Sequence, residues 1–571
     1  APQRVSGAGA PAPPPDALRE VLRMNFHHDD FRGLQEEVVN AVLQGRDALV
    51  MWGTGSGKSL VYQLPALATN STVVVVSPLI SLMQDQVSKI NELVGREVAV
   101  FAGSMQADRA KVSEALQGKY LLIYVTPEFL DPQFPFDAGE DEPSTVLDKL
   151  RGLRDDGRLC AVAVDEAHCI EQWGHDFRTD YRGVVSRLRG YLGDVPLLAL
   201  TASAKPRVRR DIAQVLKLRP DRLESIGTVK RPNLHLEVCQ KTDSKRDRIK
   251  IVEFAAEAKR QGGHLIVYVQ TINGVEKMLE KLQPLFKSYG LVGSKYHSEL
   301  RHEDRNAALR GFQNGEVDVM IATIAFGMGI DKPNIRCIVH YGPPSKIATF
   351  YQQIGRAGRD GRIARCILLW SPSDFALYRW GSFVPPGQER KEIHFAELEA
   401  MHRYVEAGID KCRQQMIGEE FEDSFDRCGV CDLCQARGDD VVDRDFTTEA
   451  RLICQAVESF TLSPSRKKLL EHLRACHIGG KDKLADPHNW HCCQRLASGL
   501  RDPEILEGLL WPLHERGHLR RTFYENSINP SAKPFEVWAL MPKGRRLLDS
   551  PPGTVKISLP SPLHKATIGQ R

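Results

Sequence analysis

The sequence predicts an α/β protein of two tandem parallel-sheet lobes, followed by a cysteine-bearing helical subdomain and a helix-rich unit ending in a hairpin. Three observations carry this. Strand-like apolar runs alternate with helical stretches twice, from Ala48 to Leu200 and again from Leu265 to Trp370. Such alternation builds parallel sheets covered by helices on both faces. Two runs of the first set end abruptly in polar chemistry, one in Gly57-Lys58-Ser59 and one in Asp165-Glu166. Four cysteines follow the second set, and helical patterns with two late strand-like runs come after them.

The 571 residues suffice for roughly three to five domains. With 42% hydrophobic and 26% charged residues the chain reads as globular. Its net charge of +4, from 77 basic and 73 acidic residues, excludes a wholly basic histone-like protein. It leaves room for nucleic-acid binding, because local patches set the field at a groove. No apolar run approaches the roughly 18 residues of a membrane span, so no membrane partner is expected. Most of the thirteen cysteines sit singly in apolar runs, as do Cys239, Cys337 and Cys366, which suits a reducing compartment. The nucleus is the expectation, or the cytosol for a bacterial source. Residues 1–15, rich in Pro, Ala and Gly, read as a flexible tail without the apolar core of a signal peptide.

Residues 16–227 form the expected first lobe. Ala17 to Asn25 and Glu36 to Leu43 read as helices, with Arg32 and Gln35 between them. A Gln there can pair its amide with an adenine edge, or simply cap the helix. Ala48 to Met51 is a strand, and Trp52-Gly53-Thr54-Gly55-Ser56-Gly57-Lys58-Ser59 leads from it into a helix. Its glycines let backbone N–H groups wrap phosphates, Lys58 reaches the β/γ oxygens, and the Ser59 hydroxyl suits Mg²⁺. The general phosphate-loop pattern wants Gly where Trp52 stands. Further strands are expected at Thr72 to Val76, Leu121 to Val125, Cys160 to Val164 and Leu197 to Leu200, and a surface loop at Asp131 to Glu142.

The Cys160 strand runs directly into Asp165 and Glu166. Acids at the carboxyl edge of a parallel sheet can hold Mg²⁺ through water and orient a water for attack on a phosphoryl group. Trp173, His175, Phe177, Arg178 and Tyr181 follow, aromatic and cationic groups interleaved. Such side chains can stack on unpaired bases or grip phosphates, or else form a partly buried aromatic loop.

The second lobe is expected at 228–372, with strands at Leu265 to Val269, Val317 to Ala322, Ile335 to His340 and Arg365 to Trp370, and without a second GKS loop. Two lobes with one phosphate loop suggest ATP in the cleft between them. Arg356 and Arg359, at i, i+3 on one helix face, can supply charge to the γ-phosphate or can form a solvated face.

Residues 373–438 hold a helical stretch, Arg390 to Ala407, and the thiols Cys412, Cys428, Cys431 and Cys434. The tight CGVCDLC segment with one earlier Cys can close a tetrahedral Zn²⁺ site, structural because no position stays open. In 439–550, helical patterns at Phe446 to Phe460, Ser465 to Leu473, Asn489 to Gly499 and Pro503 to Arg516 precede strands at Leu519 to Tyr524 and Phe535 to Met541. This is the outline of a winged helix, for DNA or for a protein partner. Phe523, Tyr524 and Phe535 read as core more readily than as a strand-splitting wedge. Residues 551–571 read as a tail.

Gln35, the GKS loop, SPLISLMQDQ, YVTPE, DEAH and WGHDF, with AFGMGIDKP, QQIGRAGR and the four cysteines, resemble the RecQ family of superfamily 2 DNA helicases. The similarity covers about Phe26 to Leu548 and looks closest to the Werner-type branch. It implies two RecA-like lobes, the zinc-binding subdomain, the winged helix and ATP- and Mg²⁺-dependent 3′-to-5′ unwinding of DNA. Single-stranded and duplex or branched DNA are the implied partners, in repair, recombination or replication. The resemblance places Arg32, Gln35, Thr54, Gly55, Gly57, Lys58 and Ser59 at the nucleotide, Asp331 near the nucleotide or an interlobe contact, and Asp165 on Mg²⁺. It places Glu166 on the attacking water, Arg359 as the arginine finger and Arg356 beside it. Trp173, His175, Phe177 and Arg178 would couple single-stranded DNA to hydrolysis, and Tyr296-His297-Ser298 resembles an element near the DNA backbone. This sequence departs from the family at Trp52-Gly53, usually Met-Pro, at Ser203, usually Thr, and at His28, usually an aromatic. A DNA-binding scaffold with weak ATPase is the rival reading.

Overall fold

The computed structural model describes residues 14–103, 109–131, 145–170, 181–326, 332–379, 383–436, 442–460, 462–465, 468–473, 509–510, 512–514, 516–524, 535–550 and 554–559. The first sheet contains β1 (Ala48–Met51), β2 (Thr72–Val76), β3 (Ala99–Phe101), β4 (Leu122–Val125), β5 (Leu159–Val164), β6 (Leu197–Thr201) and β7 (Leu223–Ile226). Their order is β3-β4-β2-β5-β6-β1-β7, and every pairing is parallel. Central strands such as β1 and β2 are buried at every position, because helices cover both faces and a parallel strand then reads as one apolar run. On one face α1 (Pro15–Phe26), α2 (Gln35–Leu43) and α3 (Leu60–Thr69) bury Leu18, Val38 and Tyr62 against Val73 and Val75.

The second sheet contains β8 (Leu234–Gln240), β9 (His264–Val269), β10 (Gly293–Tyr296), β11 (Val319–Ala322), β12 (Ile335–Tyr341) and β13 (Ala364–Trp370), in the order β10-β11-β9-β12-β13-β8. All of its pairings are parallel as well. The expected strands are all present, shifted by a residue or two at their ends. Four more, β3, β7, β8 and β10, add to them. The two sheets share one apolar cluster that runs on into Cys412 and Leu433 of the cysteine subdomain.

That subdomain joins the helices Gln388–Val405, Arg413–Phe421 and Asp432–Ala436. Beyond it the helix Thr447–Glu458, the antiparallel hairpin β15 (Leu519–Tyr524) and β16 (Phe535–Leu540), and the helix Pro542–Leu548 close around a separate core that holds Trp538. A second antiparallel pair, β14 (Val442–Asp445) with β17 (Lys556–Leu559), brings residues of the expected tail back onto this unit. The expected helix at 489–499 and most of 503–516, like the loop at 132–142, lie outside the described residues. Arg521 of β15 donates to both oxygens of Glu399 at 2.9 Å, fastening the hairpin to the helix Gln388–Val405. Among the described residues no helix is long and apolar enough to cross a membrane. Cys337 and Cys366 are buried in the second sheet, whereas Cys239, near the end of β8, is exposed.

Candidate active site

The phosphate loop leaves the carboxyl end of β1, and Asp165 leaves that of β5, with β6 between the two strands. Three consecutive strands thus bring both motifs to one sheet edge, as the strand-end residues require. Trp52 does not enter the site. It is 4% exposed, packs in the core beside β7, and its Nε1 donates to Ser225 Oγ at 3.2 Å. The departure from the usual pattern is therefore a core substitution that leaves the glycines downstream in place. At Gly53 a Cβ would lie 2.9 Å from Tyr351 Oη, so glycine there admits the second lobe. At Gly57, φ is +78° and a Cβ would strike Gln35 Nε2 at 2.4 Å.

Gln35 is buried, and its amide braces the loop. Nε2 donates to Ser56 O at 3.3 Å and Gly57 O at 3.1 Å, while Oε1 accepts from Arg32 N at 2.8 Å. Arg32 and His28 are exposed. Lys58 Nζ donates to Trp52 O at 2.9 Å and Gly53 O at 3.3 Å. Burial pushes its ammonium below the ordinary value, while Glu166 and Asp165 pull it back. Ser59 stands at the N-cap position of α3, at the end of the loop, without a side-chain cap bond to the helix.

Asp165 is buried and accepts from its neighbour's backbone, Glu166 N, at 2.9 Å. Glu166 has φ +49°, the left-handed region, which turns its side chain away from the strand direction. Burial and then the charge of Glu166 raise the proton affinity of Asp165. Glu166 itself is held ionised against burial by His168, whose Nδ1 lies 3.2 Å from Glu166 Oε2 and 3.1 Å from Thr201 Oγ1. Adjacent carboxylates, buried Asp165 with raised proton affinity and partly buried Glu166, offer hard oxygen donors of the kind that suit Mg²⁺.

The second lobe reaches this edge through the helix Ile347–Ile354 and the turn after it. Gln352 Nε2 lies 3.0 Å from His168 Nε2 and donates to Ser203 Oγ at 2.9 Å. Ser203 therefore supplies the hydroxyl that the family's usual Thr would. Arg356 is buried against Tyr268 and lies within electrostatic reach of Glu166. Arg359 packs on the phosphate loop, its Cγ 3.6 Å from where a Cβ on Gly55 would lie. Neither arginine belongs to a freely solvated helix face, so that alternative is removed. A residue that sequence reasoning missed, Arg231, joins the two parts. Its Nη1 donates to Thr54 O at 3.2 Å and its Nη2 to Ala357 O at 3.1 Å.

Asp331 and the residues Trp173, His175, Phe177 and Arg178 lie outside the described residues. Tyr181, which the sequence groups with that loop, is a core residue of the first lobe. His297 is buried, with Nε2 at 2.8 Å from Glu276 Oε1, and so is engaged within the lobe. The side chains of Phe523, Tyr524 and Phe535 are also outside the described set.

At the cysteine centre the four sulfur atoms of Cys412, Cys428, Cys431 and Cys434 lie within 4.8 Å of one another. Cys428 N and Cys431 N each donate to a neighbouring thiol, to Cys412 Sγ and Cys428 Sγ respectively, both at 3.3 Å. Backbone N–H groups aimed at sulfur favour thiolates, and four thiolates at this spacing fit Zn²⁺.

The comparisons with known proteins follow the same segments. Residues 32–212 match the DEAD/DEAH box helicase family, 246–361 the helicase conserved C-terminal domain, and 375–435 the RecQ zinc-binding family. A putative ATP-dependent DNA helicase Q1 of Caenorhabditis elegans is 34% identical over 517 residues, 89% of this chain and 77% of the relative. The chain belongs to the RecQ family. It is an ATP-dependent DNA helicase with two RecA-like lobes and a RecQ-type zinc-binding subdomain. The RecQ helicase of Haemophilus influenzae is 34% identical over 74% of this chain and 64% of its own length. The mouse bifunctional exonuclease/helicase WRN is 35% identical over 74% of this chain and 30% of its own length. Identity is thus level across branches. Among solved structures, the DUF1998 helicase MrfA bound to DNA and AMPPNP aligns with a TM-score of 0.52 at 19% identity, covering 72% of this chain and 57% of that one. Mycobacterium smegmatis Lhr bound to single-stranded DNA and AMP-PNP gives 0.50 at 15%, covering 93% and 61%. At those identities the likeness is one of fold.

Proposed function

We propose that this RecQ helicase couples Mg²⁺-dependent ATP hydrolysis to 3′-to-5′ unwinding of duplex or branched DNA. The work belongs to repair, recombination or replication, in the nucleus if the source is eukaryotic. The observation that supports the reading is the approach of Gln352 of the second lobe to His168 Nε2 at 3.0 Å, with the other ring nitrogen 3.2 Å from Glu166 Oε2. Lys58 and the loop N–H groups of Thr54, Gly55 and Gly57 hold the phosphates, with Arg32 and Asp331 beside the nucleotide. Ser59 and Asp165 would hold Mg²⁺, which when bound offsets charge on the β/γ oxygens. Gln35 Oε1, with one lone pair on Arg32 N–H, keeps another for the adenine amino group. Glu166, kept ionised by His168, orients water, and Arg359 with Arg356 stabilises the developing γ-phosphoryl charge. Trp173, His175, Phe177 and Arg178 stack on single-stranded DNA and relay its presence. The unit at 439–550 serves as a DNA-binding winged helix, and the boundaries 16–227, 228–372, 373–438 and 439–550 separate the working parts.

The test is ATP hydrolysis with and without single-stranded DNA, followed by strand displacement on duplexes with a 3′ or a 5′ tail. DNA-stimulated turnover and displacement from the 3′ tail alone support the reading. Binding without stimulated turnover would favour the scaffold.

A further inference from the structure

Residues 227–233 carry the chain from β7 of the first sheet to β8 of the second. Arg231 lies in this crossing, and its guanidinium is a bridge. One nitrogen donates to the phosphate loop at Thr54 O, 3.2 Å away, and the other to Ala357 O, 3.1 Å away, in the turn between Arg356 and Arg359. Two residues on, Asn233 Nδ2 donates to Gly358 O at 2.8 Å and Arg362 O at 3.0 Å, bracing the same turn.

The backbone of Arg231 is held in turn by the zinc-binding subdomain. Arg231 N donates to Gln414 Oε1 at 2.9 Å, and Gln414 Nε2 donates to Arg231 O at 2.7 Å and Leu234 O at 3.1 Å. Gln414 is 3% exposed and stands two residues after Cys412. Upstream, Asp423 Oδ2 accepts from Thr228 Oγ1 and Val229 N, both at 2.7 Å, pinning the start of the crossing to the same subdomain. Burial lowers the proton affinity of Arg231, opposed in part by Tyr351, and its contacts among these bonds are neutral carbonyls. The forked donors of a guanidinium hold two acceptors at a fixed separation, which a lysine ammonium on a flexible stem does not do.

We propose that Arg231 is a positioning residue for ATP hydrolysis. It sets the separation between the phosphate loop and the Arg356–Arg359 turn, and the zinc-binding subdomain sets the place of Arg231 through Gln414. The inference rests on the reading of these motifs as the ATP site. It makes the subdomain part of the alignment of that site, in addition to its support of the fold.

The experiment compares the full chain with Arg231→Ala, Arg231→Lys, Gln414→Ala and the double variant Arg231→Ala/Gln414→Ala. ATP kinetics are measured at saturating single-stranded DNA, alongside zinc content and Tm. Misplacement by a fraction of an ångström to an ångström lowers turnover by about 10- to 100-fold. Arg231→Ala is expected to lose kcat within that range while KM for ATP stays within about twofold, since Arg231 itself touches no phosphate. Gln414→Ala should lose kcat with its zinc retained, and the double variant should lose no more than Arg231→Ala alone. Arg231→Lys should show the same direction of loss at smaller size, and with Gln414→Ala it carries the test should the alanine variant fail to fold. Wild-type kcat in Arg231→Lys and Gln414→Ala, a defect in KM alone, or fully additive losses would overturn the proposal. A wild-type chain without DNA-stimulated hydrolysis would instead overturn the assignment of the site.

Discussion

Gln352 Nε2 of the second lobe stands 3.0 Å from His168 Nε2 of the first, and the other nitrogen of that imidazole faces Glu166 Oε2 at 3.2 Å. Nδ1 also lies 3.1 Å from Thr201 Oγ1, so the ring is in contact with both lobes. If Glu166 orients water as proposed, this contact makes hydrolysis sensitive to lobe position. A neutral hydrogen bond is worth about 1 kcal/mol net, or roughly fivefold in rate. Gln352→Ala should lower DNA-stimulated kcat by about fivefold to tenfold with nucleotide affinity unchanged. Measuring kcat alongside the Kd for a non-hydrolysable ATP analogue checks this, and an equal loss in affinity would show the bond to be structural.

Lys58 is the cation within the phosphate loop itself, and its ammonium already faces the acids Asp165 and Glu166. Lys58→Ala should abolish DNA-stimulated ATP hydrolysis and leave DNA binding mostly intact, as read by turnover and by fluorescence anisotropy with labelled single strand. Wild-type turnover in that variant would sink the assignment of the loop.

Arg359 lies over the phosphate loop at Gly55 and is placed there by the second lobe. An arginine finger contributes about 10³–10⁵ in rate. Arg359→Ala is expected to lose at least about 10³ in kcat while still binding nucleotide. A loss smaller than that of Arg356→Ala would reverse the roles of the two arginines.

The parts legible from sequence share one property, that their physics is local. Val73 to Val76 reads as a strand because it is buried on both faces, and Asp165 reads as a site because it follows such a run. Gly293–Tyr296 and Leu223–Ile226 escaped because they are edge strands of mixed polarity, half-buried or exposed along much of their length. Trp52 looked like a defect in the phosphate loop because its partner, Ser225, is far away in the chain and near only in the fold. Arg231 gave no signal at all. Its acceptors are backbone carbonyls, which every residue carries, and only folding brings Thr54 and Ala357 to either side of it.

His340, on β12, is buried between Tyr268 and Phe350, with ring centroids 5.2 and 4.9 Å away, and Nε2 donates to Gln353 Oε1 at 2.9 Å. Burial depresses its pKa to about 4, only partly offset by Gln353. The folded value lies below the unfolded value of about 6.5, so the fold favours the neutral ring. The associated stability is fully present above pH 6.5 and is lost as pH falls from 6.5 toward 4, by about 3 kcal/mol in all. Urea unfolding at pH 7.5 and pH 5 should show a smaller acid loss in His340→Phe than in the wild type. Identical slopes in the two proteins would show that His340 does not carry the effect.

The zinc centre stands at the root of the crossing between lobes, which sharpens what its loss should do. Cys431 is fully buried, and its neighbour Asp432 makes a bidentate pair with Arg413 at 3.0 and 3.1 Å while accepting from Val238 N of β8 at 3.0 Å. Cys412 begins the helix whose second residue, Gln414, clamps Arg231. Structural zinc contributes about 10–16 kcal/mol of apparent binding energy in small peptides, and that energy is folding energy. Removing one ligand with Cys431→Ser should therefore take zinc content well below one per chain and lower Tm by at least about 5 °C, the shift that about 1 kcal/mol gives in a unit of roughly 60–100 residues. Four thiolates leave no open position for water, so the metal itself supplies no Lewis-acid step. Hydrolysis in the soluble fraction should nevertheless fall, because the crossing that aligns Thr54 with the Arg356–Arg359 turn loses its anchor. Metal analysis, thermal unfolding and DNA-stimulated ATPase on one purified sample decide it, and a stable, fully active protein without zinc would end the hypothesis.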